Sequence, residues 1–103
     1  MVAHIENQKT KRFQILYSLF KAMEQDTNKY CDVMELAASE GIKNGDFDKN
    51  FRFLKEEGLI KGIGAGTISS ITHLAIKEIE WMFENPDKTS EHFPSLNSMG
   101  IKD

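Results

Sequence analysis

The chain has 103 residues, 40% of them hydrophobic and 28% charged, with a net charge of −3. That length supports one domain with a single modest core and excludes a second. No apolar run approaches the roughly 20 residues of a membrane span, and the opening MVAHIENQKTKRF lacks the apolar centre of a secretory signal, so a cytoplasmic protein with no membrane partner is expected. The single cysteine, Cys31, cannot form an internal disulfide, which fits a reducing compartment.

Charge is unevenly spread. Residues 1–62 carry ten basic and ten acidic side chains, and residues 63–103 carry three and six, so the acidic excess lies in the C-terminal part. A dedicated nucleic-acid binder usually shows a basic face, because phosphate contacts supply most of its non-specific affinity. Any such face here has to be local.

A first helix is predicted from Thr10 to Gln25. Phe13, Leu16, Phe20 and Met23 recur at helical spacing, and Ile15, Leu19 and Ala22 widen the apolar side. Lys9, Lys11 and Arg12 fall at its start, where cations oppose the helix dipole and are either solvated or held by something anionic. Asp26, Thr27 and Asn28 read as a turn, followed by a short extended lead-in from Lys29 to Asp32. Asp32 caps a second helix, with Glu35 placed for a capping box, Val33, Leu36 and Ala37 facing inward and Gly41 as the left-handed exit.

Asn44, Gly45 and Asp46 open a third helix that ends near Glu57, before Gly58. Phe47, Phe51 and Leu54 make its buried side. Leu59 and Ile60 begin a strand, Gly62 to Gly66 form a tight hairpin loop, and Thr67 to Thr72 return. Thr72 caps a last helix that runs to Glu84 and stops at Asn85 and Pro86, with Ile76, Ile79 and Phe83 inward and Met82 flanking. Residues 87–103 read as an extended tail, lying along the domain or partly disordered, with two apolar anchors, Phe93 and Leu96. The division is therefore a domain over residues 1–86 and a tail over residues 87–103, and the class is α+β, mainly α.

Residues 10–85, in this order of helix, turn, helix and minimal hairpin, resemble a winged helix-turn-helix domain. The segment from Ile71 to Pro94, ITHLAIKEIEWMFENPDKTSEHFP, resembles the ending of such domains in a group of small, mostly uncharacterised prokaryotic proteins. The resemblance implies the repertoire of that fold: transcription-regulator-like binding of double-stranded DNA, or contact with protein, without enzymatic activity.

In a DNA-binding winged helix the third helix lies in the major groove. Lys49, Asn50 and Arg52 have base-reading chemistry, and Lys43, Lys55 and the Lys9, Lys11, Arg12 group could add phosphate contacts. Opposing them, Asp46 to Glu57 contains four acidic and three basic side chains. The hairpin tip, Gly62 to Gly66, has no cation. Its glycines lack the lysine of a phosphate-binding loop and lead into strand-like residues, so a hairpin is expected there.

Phe53 points away from Phe51 and is either covered by the N-terminal arm or the tail, or free for an intermolecular contact. Leu74 and Trp81 share the side of the last helix opposite its core stripe. Either the tail folds over Trp81, or the pair forms part of an isologous homodimer contact, since winged-helix regulators frequently dimerise through helices outside the reading unit. A protein-interaction module that does not bind DNA is thus the alternative function. Catalytic patterns are weak. Cys31 reads as a core residue, His73 as a surface residue at a helix start, and His92 with Asp87 and Glu91 fits no familiar metal spacing, so neither cofactor nor metal is expected.

Overall fold

The computed structural model describes residues 2–24, 30–64 and 66–101, with the side chains of residues 2–6 excepted. The predicted turn at Asp26, Thr27 and Asn28 and residue Lys29 of the lead-in lie outside them. The chain folds as α1 (Val2–Glu24), β1 (Cys31–Asp32), α2 (Val33–Ser39), α3 (Asn44–Glu56), β2 (Ile60–Gly62), β3 (Ile68–Ile71), α4 (His73–Glu84) and α5 (Leu96–Met99). It is mainly helical, with one small antiparallel sheet in the order β1-β3-β2. Among the described residues no helix is long and apolar enough to cross a membrane.

Local signals place most of these boundaries. The Asp32 carboxylate accepts the Met34 N–H at 3.1 Å and starts α2, and the same oxygen accepts the Thr67 hydroxyl at 2.7 Å. The cap thus also ties α2 to the strand entering the sheet. Gly41 and Gly58 end α2 and α3 with φ of 79° and 75°, a region where a Cβ would be strained. Thr72 accepts the Ala75 N–H and donates to the Gly58 carbonyl at 2.7 Å, fixing the start of α4 against the end of α3.

Cys31 and Asp32 of the predicted lead-in pair as β1, Cys31 opposite Ser69 and Asp32 opposite Ile68, which makes the hairpin part of a three-stranded sheet. Helix α1 begins about two turns before the predicted Thr10. Lys9, Lys11 and Arg12 therefore stand within a helix and not at a positively polarised helix start. Helix α1 is also the centre of the core: Phe13, Ile15, Leu16 and Leu19 are all fully buried. In α4 the buried positions are Ala75, Ile79 and Met82, with Ile76 and Phe83 half-buried at the edges.

The segment after Pro86 lies along the domain on its two predicted anchors and differs from an extended tail in ending with a helical turn. Phe93 and Leu96 are each 1% exposed, and the Phe93 ring meets the edge of Phe13 with centroids 5.1 Å apart. The Asn97 N–H donates to the Pro86 carbonyl, turning the chain back toward the end of α4. Ser95 caps α5, a single helical turn closed by Gly100 at φ 73°. Burying two large apolar side chains stabilises this docking by several kcal/mol, at about 1.5 to 3 kcal/mol for each.

Candidate nucleic-acid interface

Helix α3 has two differently occupied sides. Phe47, Asn50 and Leu54 are its buried residues, and Phe51 and Phe53 lie half-buried on either flank of that arc. Along the opposite side Asp48, Lys49, Arg52, Lys55 and Glu56 are exposed, preceded by exposed Lys43 at the N-cap. The side toward α1 is closed by polar contacts. Lys11 Nζ lies 2.8 Å from Asp46 Oδ2, and Gln8 donates to Asp46 Oδ1 at 3.2 Å. The hydrogen bond from Lys11, then that from Gln8, hold the Asp46 carboxyl below the usual carboxylate range.

Asn50 was expected to read adenine, and the structure corrects this. Its side chain is fully buried, donates to the Asp46 carbonyl at 2.8 Å and to Gln8 Oε1 at 3.2 Å, and accepts from Arg12 Nε at 3.1 Å. Both amide protons and the carbonyl oxygen are used within the fold, so nothing is left for a base. Its position was legible: three residues after Phe47 and four before Leu54, Asn50 sits on the core arc.

The Lys9, Lys11, Arg12 group is likewise not a phosphate-facing cluster. Lys11 is taken by Asp46. Arg12 lies over the Phe53 ring, with the guanidinium carbon 3.7 Å from the centroid, while burial pulls its pKa down against the pull of Glu57. Lys9 stands beside a small pocket lined by Thr89 to Pro94, next to the C-terminal segment. Of the two alternatives for Phe53, the structure has the covered one. Arg12 caps one face, and the His92 ring approaches edge-on at 6.1 Å. The angle from Phe51 places Phe53 too far from the core, because Phe51 itself lies at the rim of the buried arc.

His92 carries no local signal for the role it takes. Its side chain is 7% exposed, with Nδ1 2.6 Å from Glu78 Oε1 and Nε2 3.1 Å from Glu57 Oε1; Glu91 Oε2 stands 3.7 Å away. Glu78 Oε2 also accepts the His92 N–H at 2.9 Å and the Ser90 hydroxyl at 2.6 Å. Burial disfavours the charged ring, but the bonds and charges of Glu78, Glu57 and Glu91 outweigh it and raise the pKa. Only the imidazolium can donate from both nitrogens at once. This clasp fastens the C-terminal segment to α4 and to the end of α3. No local spacing announces it, since Glu57 and His92 are 35 residues apart.

What remains open is the outer stripe of α3 and the hairpin beside it. Asp48, Phe51, Arg52 and Lys55 form with Gly66 and Thr67 a groove of about 400 Å³. The Lys55 Nζ lies 3.7 Å from where a Cβ on Gly62 would stand, an ordinary contact distance, so this side chain runs alongside β2. Lys49 is 57% exposed, with its Nζ 3.9 Å from Asp46. On the hairpin, Lys61 and Ile63 project to the same outer face. Ile63 pairs with Ile68 across the turn, and both isoleucines are about half exposed, at 53% and 47%. Compared with known protein families, with curated proteins and with solved structures, the chain gives no match.

Proposed function

We propose that this chain is a non-enzymatic winged helix-turn-helix module that binds double-stranded DNA, with α3 as its reading helix and the β2–β3 hairpin as its wing. Three features support the fold reading. Helix α2, a glycine turn and α3 follow one another, a hairpin comes next, and β1 adds to the hairpin as a third strand. The observation that carries the functional reading is the charge left open on α3. Asp46 is engaged by Lys11, and Glu57 by His92. The outward side then presents Lys43, Lys49, Arg52 and Lys55 against Asp48 and Glu56, a local excess of cations that the plain count over Asp46 to Glu57 conceals. A helix of 13 residues, about 20 Å long, fits lengthwise in a major groove about 12 Å wide.

Affinity for a mixed-sequence duplex, followed by fluorescence anisotropy across a salt series, tests this. Binding weakens steeply with salt, and Lys49→Ala combined with Arg52→Ala lowers the slope of log K against log salt by about 2, near 0.9 for each phosphate that is no longer neutralised. Absence of measurable affinity at low salt removes the proposal.

The two exposed isoleucines favour a second reading, a winged helix that contacts protein and not DNA. They occupy the outer face of the hairpin, where a phosphate-gripping wing would carry cations. In that case Ile63→Ser and Ile68→Ser together abolish partner binding, while the α3 variants leave it unchanged.

A further inference from the structure

We infer that the chain has a small-molecule site where the last turn of α1 meets the end of β3 and α4, and that its ligand is an apolar amine, a compact hydrocarbon body carrying one ammonium group. Phe20, Met23, Ile71 and Ile76 surround a pocket of about 290 Å³, and Glu24 and Glu80 complete its lining. That volume stands near the lower end of small-molecule pockets, about 300 to 1,000 Å³. Met23 and Ile71 are buried and form the floor, while Phe20 and Ile76 are half-buried and form the sides. Both glutamates are exposed and stand at the mouth. On each helix an apolar wall residue is followed one turn later by a carboxylate, Phe20 by Glu24 and Ile76 by Glu80, so the helical repeat itself sets an acidic rim above an apolar floor.

Charge complementarity selects the ligand. Neither glutamate is ion-paired among the described residues. Lys21, three residues before Glu24, lies over the Tyr17 ring instead, its Nζ 4.7 Å from the centroid. Lys77, three residues before Glu80, lines a different groove, the one beside Trp81, which the C-terminal segment borders while leaving Trp81 40% exposed. The groove beside α3 likewise includes cations, Arg52 and Lys55. The described lining of the pocket under Glu24 and Glu80 has none. An anion there is repelled by two carboxylates, and a neutral molecule gains only from the apolar walls. An ammonium group is drawn to both carboxylates, and the Phe20 ring adds the attraction of an aromatic face for a cation. The unbranched Met23 side chain can adjust to the shape of the hydrocarbon body. This inference is independent of whether α3 binds DNA.

Three probes on one frame test it: phenylbutylamine, which is protonated at neutral pH, phenylbutanol and phenylbutanoate. Each is titrated into the isotopically labelled full chain and followed by backbone amide shifts. Expected is saturable binding of the amine with a Kd on the order of 1 mM or below, with the largest shifts at Met23, Ile71, Ile76 and Glu80. The alcohol binds the same place about tenfold more weakly, as the loss of two exposed charge pairs implies, and the carboxylate more weakly again. Glu24→Gln combined with Glu80→Gln lowers the amine to the affinity of the alcohol and leaves the alcohol unchanged, because the apolar walls are untouched. Both positions are exposed, and an amide spectrum unchanged away from the pocket shows that the double variant folds. Absence of saturable amine binding up to about 10 mM overturns the proposal. So do shifts centred on another part of the surface, equal affinity for amine and alcohol, or a double variant that holds the amine as tightly as the unaltered chain.

Discussion

The two sides of α3 carry similar polar residues and put them to opposite uses. Toward α1, Asp46 and Asn50 close on Gln8, Lys11 and Arg12, and the end of the helix closes on His92 through Glu57. On the outer side Asp48, Lys49, Arg52, Lys55 and Glu56 face solvent beside the hairpin. The first set makes a half-buried seam, with Asn50 at its centre, in which each polar group has a partner. The second is a surface whose charges are free to meet another molecule. A side chain's chemistry does not separate these roles; what stands across from it does.

The largest effects should come from breaking the closed side. Phe93 fills the space against Phe13 and positions the neighbouring His92, so Phe93→Ala is expected to cost about 3 to 5 kcal/mol in urea unfolding. If the loss stays under about 1 kcal/mol, the C-terminal segment is not part of the core. Asn50→Ala leaves Arg12, Gln8 and the Asp46 carbonyl without their shared partner. It is expected to cost about 1 to 3 kcal/mol by the same measurement. Arg52→Ala, on the open side, should change stability by no more than about 0.5 kcal/mol. Similar losses in the two variants would erase the distinction between the sides.

His92 gives the closed side a pH dependence. Its folded pKa lies above the ordinary value of about 6.5, so the clasp stabilises the fold fully below that value and loses its contribution as pH rises through the raised one. The unfolding midpoint of the full chain should therefore fall as pH rises from below the ordinary histidine value through the raised one. His92→Gln should flatten that slope. A slope that is the same in both proteins would show that His92 does not titrate against Glu78 and Glu57.

How much of this was legible in the sequence depends on the range of the signal. Asp32, Gly41, Gly58 and Thr72 act on backbone groups a few residues away, and the elements they bound were predicted within a residue or two. The early start of α1 had no such mark. Its polar residues Gln8 and Lys11 are held by Asp46, which is 35 residues beyond Lys11, and that support is visible only in three dimensions. Phe93 and Leu96 were readable as apolar anchors, but the surface that receives them, at Phe13, could not be read from spacing. Among the candidate site residues, Asn50 could have been withdrawn by counting turns from Phe47. The status of Lys11, Arg12 and Phe53 could not, because their partners lie on other elements.

The salt dependence of duplex binding, measured on Lys11→Ala beside Arg52→Ala, is the sharpest probe of the division of α3. Both variants remove one cation, Lys11 from α1 where it faces α3 and Arg52 from the outer side of α3. Arg52→Ala should lower the slope of log K against log salt by about 0.9, and Lys11→Ala should lower it by less, only in so far as the Asp46 that it releases draws on Lys49. An equal reduction in both, or no affinity for duplex at low salt in the unaltered chain, would show that the outer side of α3 is not a DNA-reading surface set apart from the seam with α1.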